Sequence, residues 1–391
     1  MKNILALFAL LFFVVAPFSH ADAASQIRLY NAAATNTEQL VILQTISNQN
    51  PSGIGEFYAA ALSRLVQAHS GISEPTQLHA ADAQAMILAR HIANEGLTTA
   101  ASDLWRVADQ FTDPVVRSEA MIALGRLQAR TYLPHVIRVL NDHNQSFAAD
   151  RLYSERIAYG AIVALEHFAD PSGFLPVYFA SVGWYSNWVR SRAVRALPLI
   201  AEDSSPFMEQ ILTSPAHSPH VKLTALENVN SSNLPNYRKA ALAATALSEA
   251  WRVVTADVNK RNTFRQIRRL SMAMISRYGA ADSSVYPLLA RCYTHAMDTN
   301  EKEDAVNTLA SLGTDEAVRI LSGFLTQLND RSKVGMLTRE DNHMVRLIIP
   351  ALGSIGNANA LPALYNTIVS NWVPVVTNLA HDAVRRIAQA N

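Results

Sequence analysis

This chain repeats itself, and the repetition limits its fold more than its composition does. Leu124-Gly125 followed by Leu140-Asn141-Asp142 returns as Leu312-Gly313 followed by Leu328-Asn329-Asp330, both displaced by 188 residues. Leu175-Pro176 returns as Leu361-Pro362, displaced by 186, and Ser186-Asn187-Trp188-Val189 as Ser370-Asn371-Trp372-Val373, displaced by 184. Ala193-Val194-Arg195 returns as Ala383-Val384-Arg385. One such match would carry nothing. Four in one order mark a duplicated block, roughly 112–200 and 299–391. A copied chain stacks its units so that each touches only its neighbours, and copied order becomes copied position along the stack.

Between these landmarks the text is helical. Apolar residues recur at helical spacing in Leu104, Val107, Ala108 and Phe111, and again in Ala120, Ala123, Leu124 and Leu127. Helical stretches of roughly 12 to 20 residues are separated by short breaks of Asn, Asp, Ser, Pro or Gly, and no segment alternates convincingly like a strand. The 14 glycines and 16 prolines are few for a β-rich chain, which needs many tight turns.

The clearest unit runs from Asp113 to Leu140. Asp113 is placed to cap a helix with Pro114 in its first turn. Ala120 and Ala123 let a neighbouring helix approach, Leu124 and Leu127 fill a core, Gly125 suits a helix end, and Pro134 opens the partner helix. With Val116, Arg117, Leu133, Val136 and Val139, these residues resemble the HEAT repeat family, including its bacterial lyase-associated variant. Weaker copies lie at Val189-Arg190 with Ala193 and Ala196-Leu197, and at Val221-Lys222 with Ala225. Another holds Asp341, Ala351-Leu352-Gly353 and Leu361-Pro362, where Gly353 to Pro362 repeats the step from Gly125 to Pro134. The resemblance implies an all-α fold over 24–391: a right-handed α-solenoid of about eight or nine HEAT-like helix pairs. Helices within 36–70 and 375–390 would cap its ends.

The first residues predict export. Lys2 is a positive start, Ile4 to Phe18 is an apolar run, and Ala21-Asp22-Ala23 is a small-residue cleavage signature. The expectation is a signal peptide over 1–23, cut after Ala21 or Ala23, and a periplasmic or secreted product. The run is about 15 residues, short of the roughly 20 that span a bilayer, and no later segment is apolar for long enough. No cysteine lies near the cut to carry a lipid. The one cysteine, Cys292, lies between Leu289 and Tyr293 on a helical face and reads as a buried structural thiol. Formal net charge is +1, and removing Lys2 leaves 32 basic and 32 acidic residues, so neither nucleic acid nor an anionic membrane is expected to attract the chain in bulk.

Candidate binding residues fall into three groups. Two polar stretches follow the copied Leu-Asn-Asp. His143 to Glu155 contains His143, Asn144 and Arg151; Arg331 to Asn342 contains Lys333 and Arg339. Both read as loops longer than a helix pair needs, projecting from one edge. Trp184, Tyr185, Trp188 and Trp372 sit beside breaks, where aromatic rings either pack or present a stacking face. Arg261, Arg265 and Arg268 share one helical face, suited to an anionic ligand or to acids of adjacent helices. His217 and His220 have a metal-like spacing but no third ligand nearby. No hydrolase, phosphate-loop or dinucleotide motif is present, and Glu56 lacks the surroundings of a lytic transglycosylase acid.

The sequence therefore predicts an exocytoplasmic scaffold that binds another protein through a curved helical surface and duplicated edge loops, with no cofactor, no metal and no enzymatic activity. The alternative is a module for an envelope glycan or an anionic ligand.

Overall fold

The computed structural model describes residues 20–146 and 150–390, so the predicted leader up to Ser19 lies outside the described residues. Two compact units divide the chain, one ending at Glu202 and the other beginning at Asp203. Among the described residues there are twenty α-helices and no strand.

The first unit holds α1 (His20–Ala32), α2 (Asn36–Gln49), α3 (Gly55–His69), α4 (Pro75–Asn94) and α5 (Ala101–Gln110), followed by α6 (Pro114–Arg126), α7 (Leu133–Gln145), α8 (Arg151–Phe168), α9 (Phe174–Val182) and α10 (Asn187–Ile200). The second holds α11 (Ser205–Thr213), α12 (Pro219–Ser231), α13 (Asn236–Arg252), α14 (Val258–Tyr278) and α15 (Val285–His295), followed by α16 (Thr299–Leu312), α17 (Asp315–Lys333), α18 (Arg339–Ile355), α19 (Leu361–Val369) and α20 (Pro374–Ala390).

Local chemistry sets these boundaries. Asp113, Asp150, Asp257 and Asp298 each accept backbone N–H bonds in the first turn of the helix that follows. Thr35 with Glu38 and Thr338 with Asp341 form capping boxes at α2 and α18. Gly313 and Gly356 end α16 and α18 in the left-handed region.

Within each unit every odd-numbered helix packs against the even-numbered helix after it, and the even helices pack in series, α2 to α10 and α12 to α20. Each unit is thus a two-layered stack of five antiparallel helix pairs. Among the described residues the pairs number ten, more than the eight or nine expected, and α1 lies ahead of the 36–70 region read as the cap, which holds α2 and α3. The blocks read as copies show the same helix order, α6 to α10 and α16 to α20.

Small residues at helix contacts decide how closely the layers approach. Ala120 and Ala123 are buried in α6 as expected. Gly125 does sit at the end of α6, one residue before its last, but not as a left-handed cap. It lies inside α6, where a Cβ would come within 2.6 Å of the Ala164 carbonyl oxygen on α8; Gln128, at φ 53°, takes the left-handed turn instead. Gly353 has the same job in α18, where a Cβ would stand 2.9 Å from Ala383 Cα on α20. Gly125 and Gly313, matched in the copied blocks, therefore act differently, one by close approach and one by its φ of 60°.

Candidate functional site

In the second unit the odd-to-even turns all fall on one edge of the stack and the even-to-odd turns on the other, because successive helices are antiparallel. The first edge carries apolar side chains in water. The α13–α14 turn holds Val253 and Val254, and the α15–α16 turn holds Met297. The α17–α18 turn holds Val334 and Met336, and Val369 and Val373 flank the α19–α20 turn. Val254 is 96% exposed and Met297 fully exposed. Among the described residues, the opposite-edge turns at 232–235, 279–284, 313–314 and 356–360 expose no valine, isoleucine, leucine or methionine, although Pro235 is exposed and Leu234 partly so. Isolated exposed apolar residues are ordinary; a row of them confined to one edge marks an interaction surface.

A cleft of about 700 Å³ opens between the α13–α14 and α15–α16 turns. Val254, Val258 and Met297 line it together with Arg261, Arg265 and Arg268, so the arginine face read from sequence does reach a concave site. Two of the three arginines are occupied by acids at the start of α16, its cap Asp298 and Glu301 in its first turn. Arg265 Nη1 donates to Asp298 at 2.7 Å, and Arg268 makes a two-pronged pair with Glu301, its Nη2 donating to Oε2 at 3.0 Å. Glu301 is 1% exposed at its side chain and Arg268 13%, so this pair is part of the core. Arg268 and Arg291 both lie over the Trp251 ring, at 4.3 and 4.8 Å from its centroid. Trp251 Nε1 donates to Cys292 Sγ at 3.3 Å. Burial pushes the Cys292 thiol up to about 12, as a structural thiol requires.

The aromatic candidates are mostly packing residues. Trp372 is buried and donates its Nε1 to Asn329 Oδ1 at 2.8 Å. Tyr185 is buried, and Trp184 stacks on it at 4.4 Å between centroids. Trp188 is 37% exposed but engaged: it packs on Tyr159 at 5.0 Å, lies 5.3 Å from the Arg156 guanidinium, and donates to Glu155 Oε2 at 3.3 Å.

The two polar stretches are largely helix, not loop. α7 continues to Gln145 and α8 begins at Arg151, with 147–149 outside the described residues. α17 continues to Lys333 and α18 begins at Arg339. Their polar residues are caps and exposed helix faces, which in sequence look the same as loop residues. Asn144 Nδ2 donates to the Pro176 carbonyl at 2.9 Å, Arg151 Nε to Glu155 at 2.9 Å, and Lys333 pairs with Asp330 at 3.6 Å. His143 is half-buried, and burial, with Arg117 nearby, lowers its pKa. Arg339 is exposed in the first turn of α18, on the apolar edge. Val253, Val254, Met297, Trp251 and Arg291 were missed; the only signal for the first two was an apolar pair inside a polar break.

Glu155 ties α8 to the turn before α10. It accepts from the Ser186 amide at 2.8 Å and Ser186 Oγ at 2.9 Å, besides Arg151 and Trp188. Burial works to raise its carboxyl, but the bonds from Arg151 and Ser186 together hold it below the usual range. A depressed folded-state pKa adds stability that is complete above the ordinary carboxylate pKa and is lost as pH falls through the folded value. Glu155→Gln is therefore expected to melt lower than wild type at neutral pH, with the gap closing below about pH 4. A constant gap across that range, followed by thermal denaturation, would show that the charge is not what matters.

Two layers of antiparallel helices joined by short turns define a helical-repeat protein. Residues 116–142 match the family described as PBS lyase HEAT-like repeat, so the chain carries a HEAT-like repeat there, overlapping the Asp113–Leu140 segment whose residues resembled one. No curated protein matches the sequence. Among solved structures, human deoxyhypusine hydroxylase in complex with glycerol is 17% identical, with 86% of this chain and 99% of that chain covered and a TM-score of 0.28. That structure belongs to an enzyme, so the expectation that this chain has no enzymatic activity is withdrawn; a TM-score that low assigns no reaction to it. Among the described residues no group of three His, Cys, Asp or Glu could hold a metal, and no helix is long and apolar enough to cross a membrane.

Proposed function

We propose that this protein is an exported scaffold that holds a protein partner against the apolar edge of its second helical unit. The observation that carries the reading is the asymmetry of that unit: valine or methionine side chains stand in water at four of its five odd-to-even turns and at none of its even-to-odd turns. Stacked helix pairs make such an edge long and rigid, which lowers the ordering cost of binding. Export rests on the Lys2 start, the apolar run and the Ala-x-Ala of the sequence. A glycan-binding role has less support, because Trp372 and Tyr185 are buried and Trp184 and Trp188 are held by neighbouring side chains.

The test is capture from envelope extract with wild type and with Val254→Asp and Met297→Asp. Both residues are exposed, so the variants should melt like wild type while losing about tenfold or more in affinity for the captured protein. Capture should survive glycan digestion, and mass spectrometry of the native chain should find its N-terminus at Asp22 or Ala24. Capture indifferent to both substitutions would sink the edge; an intact Met1 in cytoplasm would sink export.

A further inference from the structure

We propose that the cleft between the α13–α14 and α15–α16 turns receives a segment of a protein partner that carries a carboxylate beside a large apolar side chain. This rests on the scaffold reading above and adds the partner's chemistry to it.

The rim of the cleft is apolar. Val254 and Met297 face water from the two turns that bound the cleft, and Val258 adds a third aliphatic group from the start of α14. One large apolar side chain entering a cleft of about 700 Å³ would remove surface from water on all three.

The charged half comes from which groups are already used. Asp298 is taken by Arg265 and by the N-terminal amide of α16 that it caps, and Glu301 is taken by Arg268. Arg261 and Arg291 line the same cleft, and neither forms an ion pair among the described residues. Arg291 is held over the Trp251 ring, an arrangement that fixes a guanidinium without neutralising it. The cleft therefore presents two unpaired guanidinium groups beside an aliphatic rim, and all its acids have partners. A basic segment would meet only repulsion. A phosphate group would satisfy the arginines and leave the rim in water. A carboxylate next to a Leu, Met or Phe side chain satisfies both halves, and a planar carboxylate suits the guanidinium fork.

The test is selection of a random peptide library displayed on phage against the full chain, followed by fluorescence anisotropy of the most enriched peptide. The expected consensus places Asp or Glu within a residue or two of a large apolar side chain. Arg261→Glu and Arg291→Glu should each weaken that peptide by about tenfold or more, with Arg261→Gln intermediate and Arg277→Glu, at the far end of α14, unchanged. Enriched peptides that lack acids, and that lose binding on Val254→Asp but not on either arginine reversal, overturn this inference and leave the scaffold reading standing. Peptides indifferent to Val254→Asp and Met297→Asp overturn both. So does failure to enrich any peptide, and pelleting of the chain with phosphatidylglycerol vesicles in that case would assign the edge to a lipid surface.

Discussion

Gly160→Leu is expected to destabilise the first unit by about 3 kcal/mol or more, enough to lower its denaturation midpoint plainly. Gly160 lies in α8 where it crosses α6, and a Cβ there would stand 2.5 Å from both Cα and Cβ of Ser118. The obstruction is backbone and the first side-chain carbon, so no flexible chain end can move aside. Ser118 is itself fixed, its hydroxyl within hydrogen-bond distance of the Pro114 carbonyl at 2.7 Å and the Arg156 carbonyl at 2.6 Å. Accommodating even a methyl group means parting α6 from α8, and leucine means parting them further. Gly323 in α17 is the control: it too is helical, but nothing lies within 4 Å of a Cβ built on it, so Gly323→Ala should raise stability by about 0.5–1 kcal/mol. Equal urea midpoints for Gly160→Leu and wild type would mean that α6 and α8 do not meet as described.

Arg268→Met should cost about 3–5 kcal/mol, because it strands the Glu301 carboxylate in the interior without its partner. Its neighbour Arg265 makes a similar bond to Asp298, yet with 40% of the Arg265 side chain exposed its removal should cost no more than about 1 kcal/mol. The contrast separates an ion pair that holds the interior of the cleft together from one that water screens at its surface. Arg268→Met with Glu301→Leu should recover much of the loss, since a buried ion pair is often replaceable by apolar groups of similar volume. Equilibrium unfolding in urea measures all three variants. A small loss for Arg268→Met alone would mean that water reaches Glu301.

The helical rhythm was legible because burial on one face imposes its own period, and the Asp113–Leu140 unit was legible because capping and close approach each demand particular residue types. The arginine face was legible too, but not its division of labour. The acids that occupy Arg265 and Arg268 lie 33 residues downstream in each case, the spacing of one helix pair onto the next. A search for opposite charges at that offset would have found them. The loops were misjudged because polar residues that cap a helix read like polar residues that leave one. Trp372 shows the same limit, since a tryptophan beside a break gives no sign of whether an Asn329 will be waiting for its indole N–H. The apolar edge was invisible for a different reason. Whether a valine in a turn folds back or stands in water is fixed by the turns beside it, and those come from segments about 40 residues away in sequence.

Cys292, the only thiol in the chain, is buried on α15 and accepts a hydrogen bond from Trp251, which lines the cleft. A thiol that is both buried and held protonated is inert to alkylation until the helix carrying it lifts away. The rate at which an alkylating reagent modifies the native protein is therefore a clock for local opening of this one region, with no label or substitution needed. Occupancy of the cleft would slow the clock, whatever the ligand proves to be.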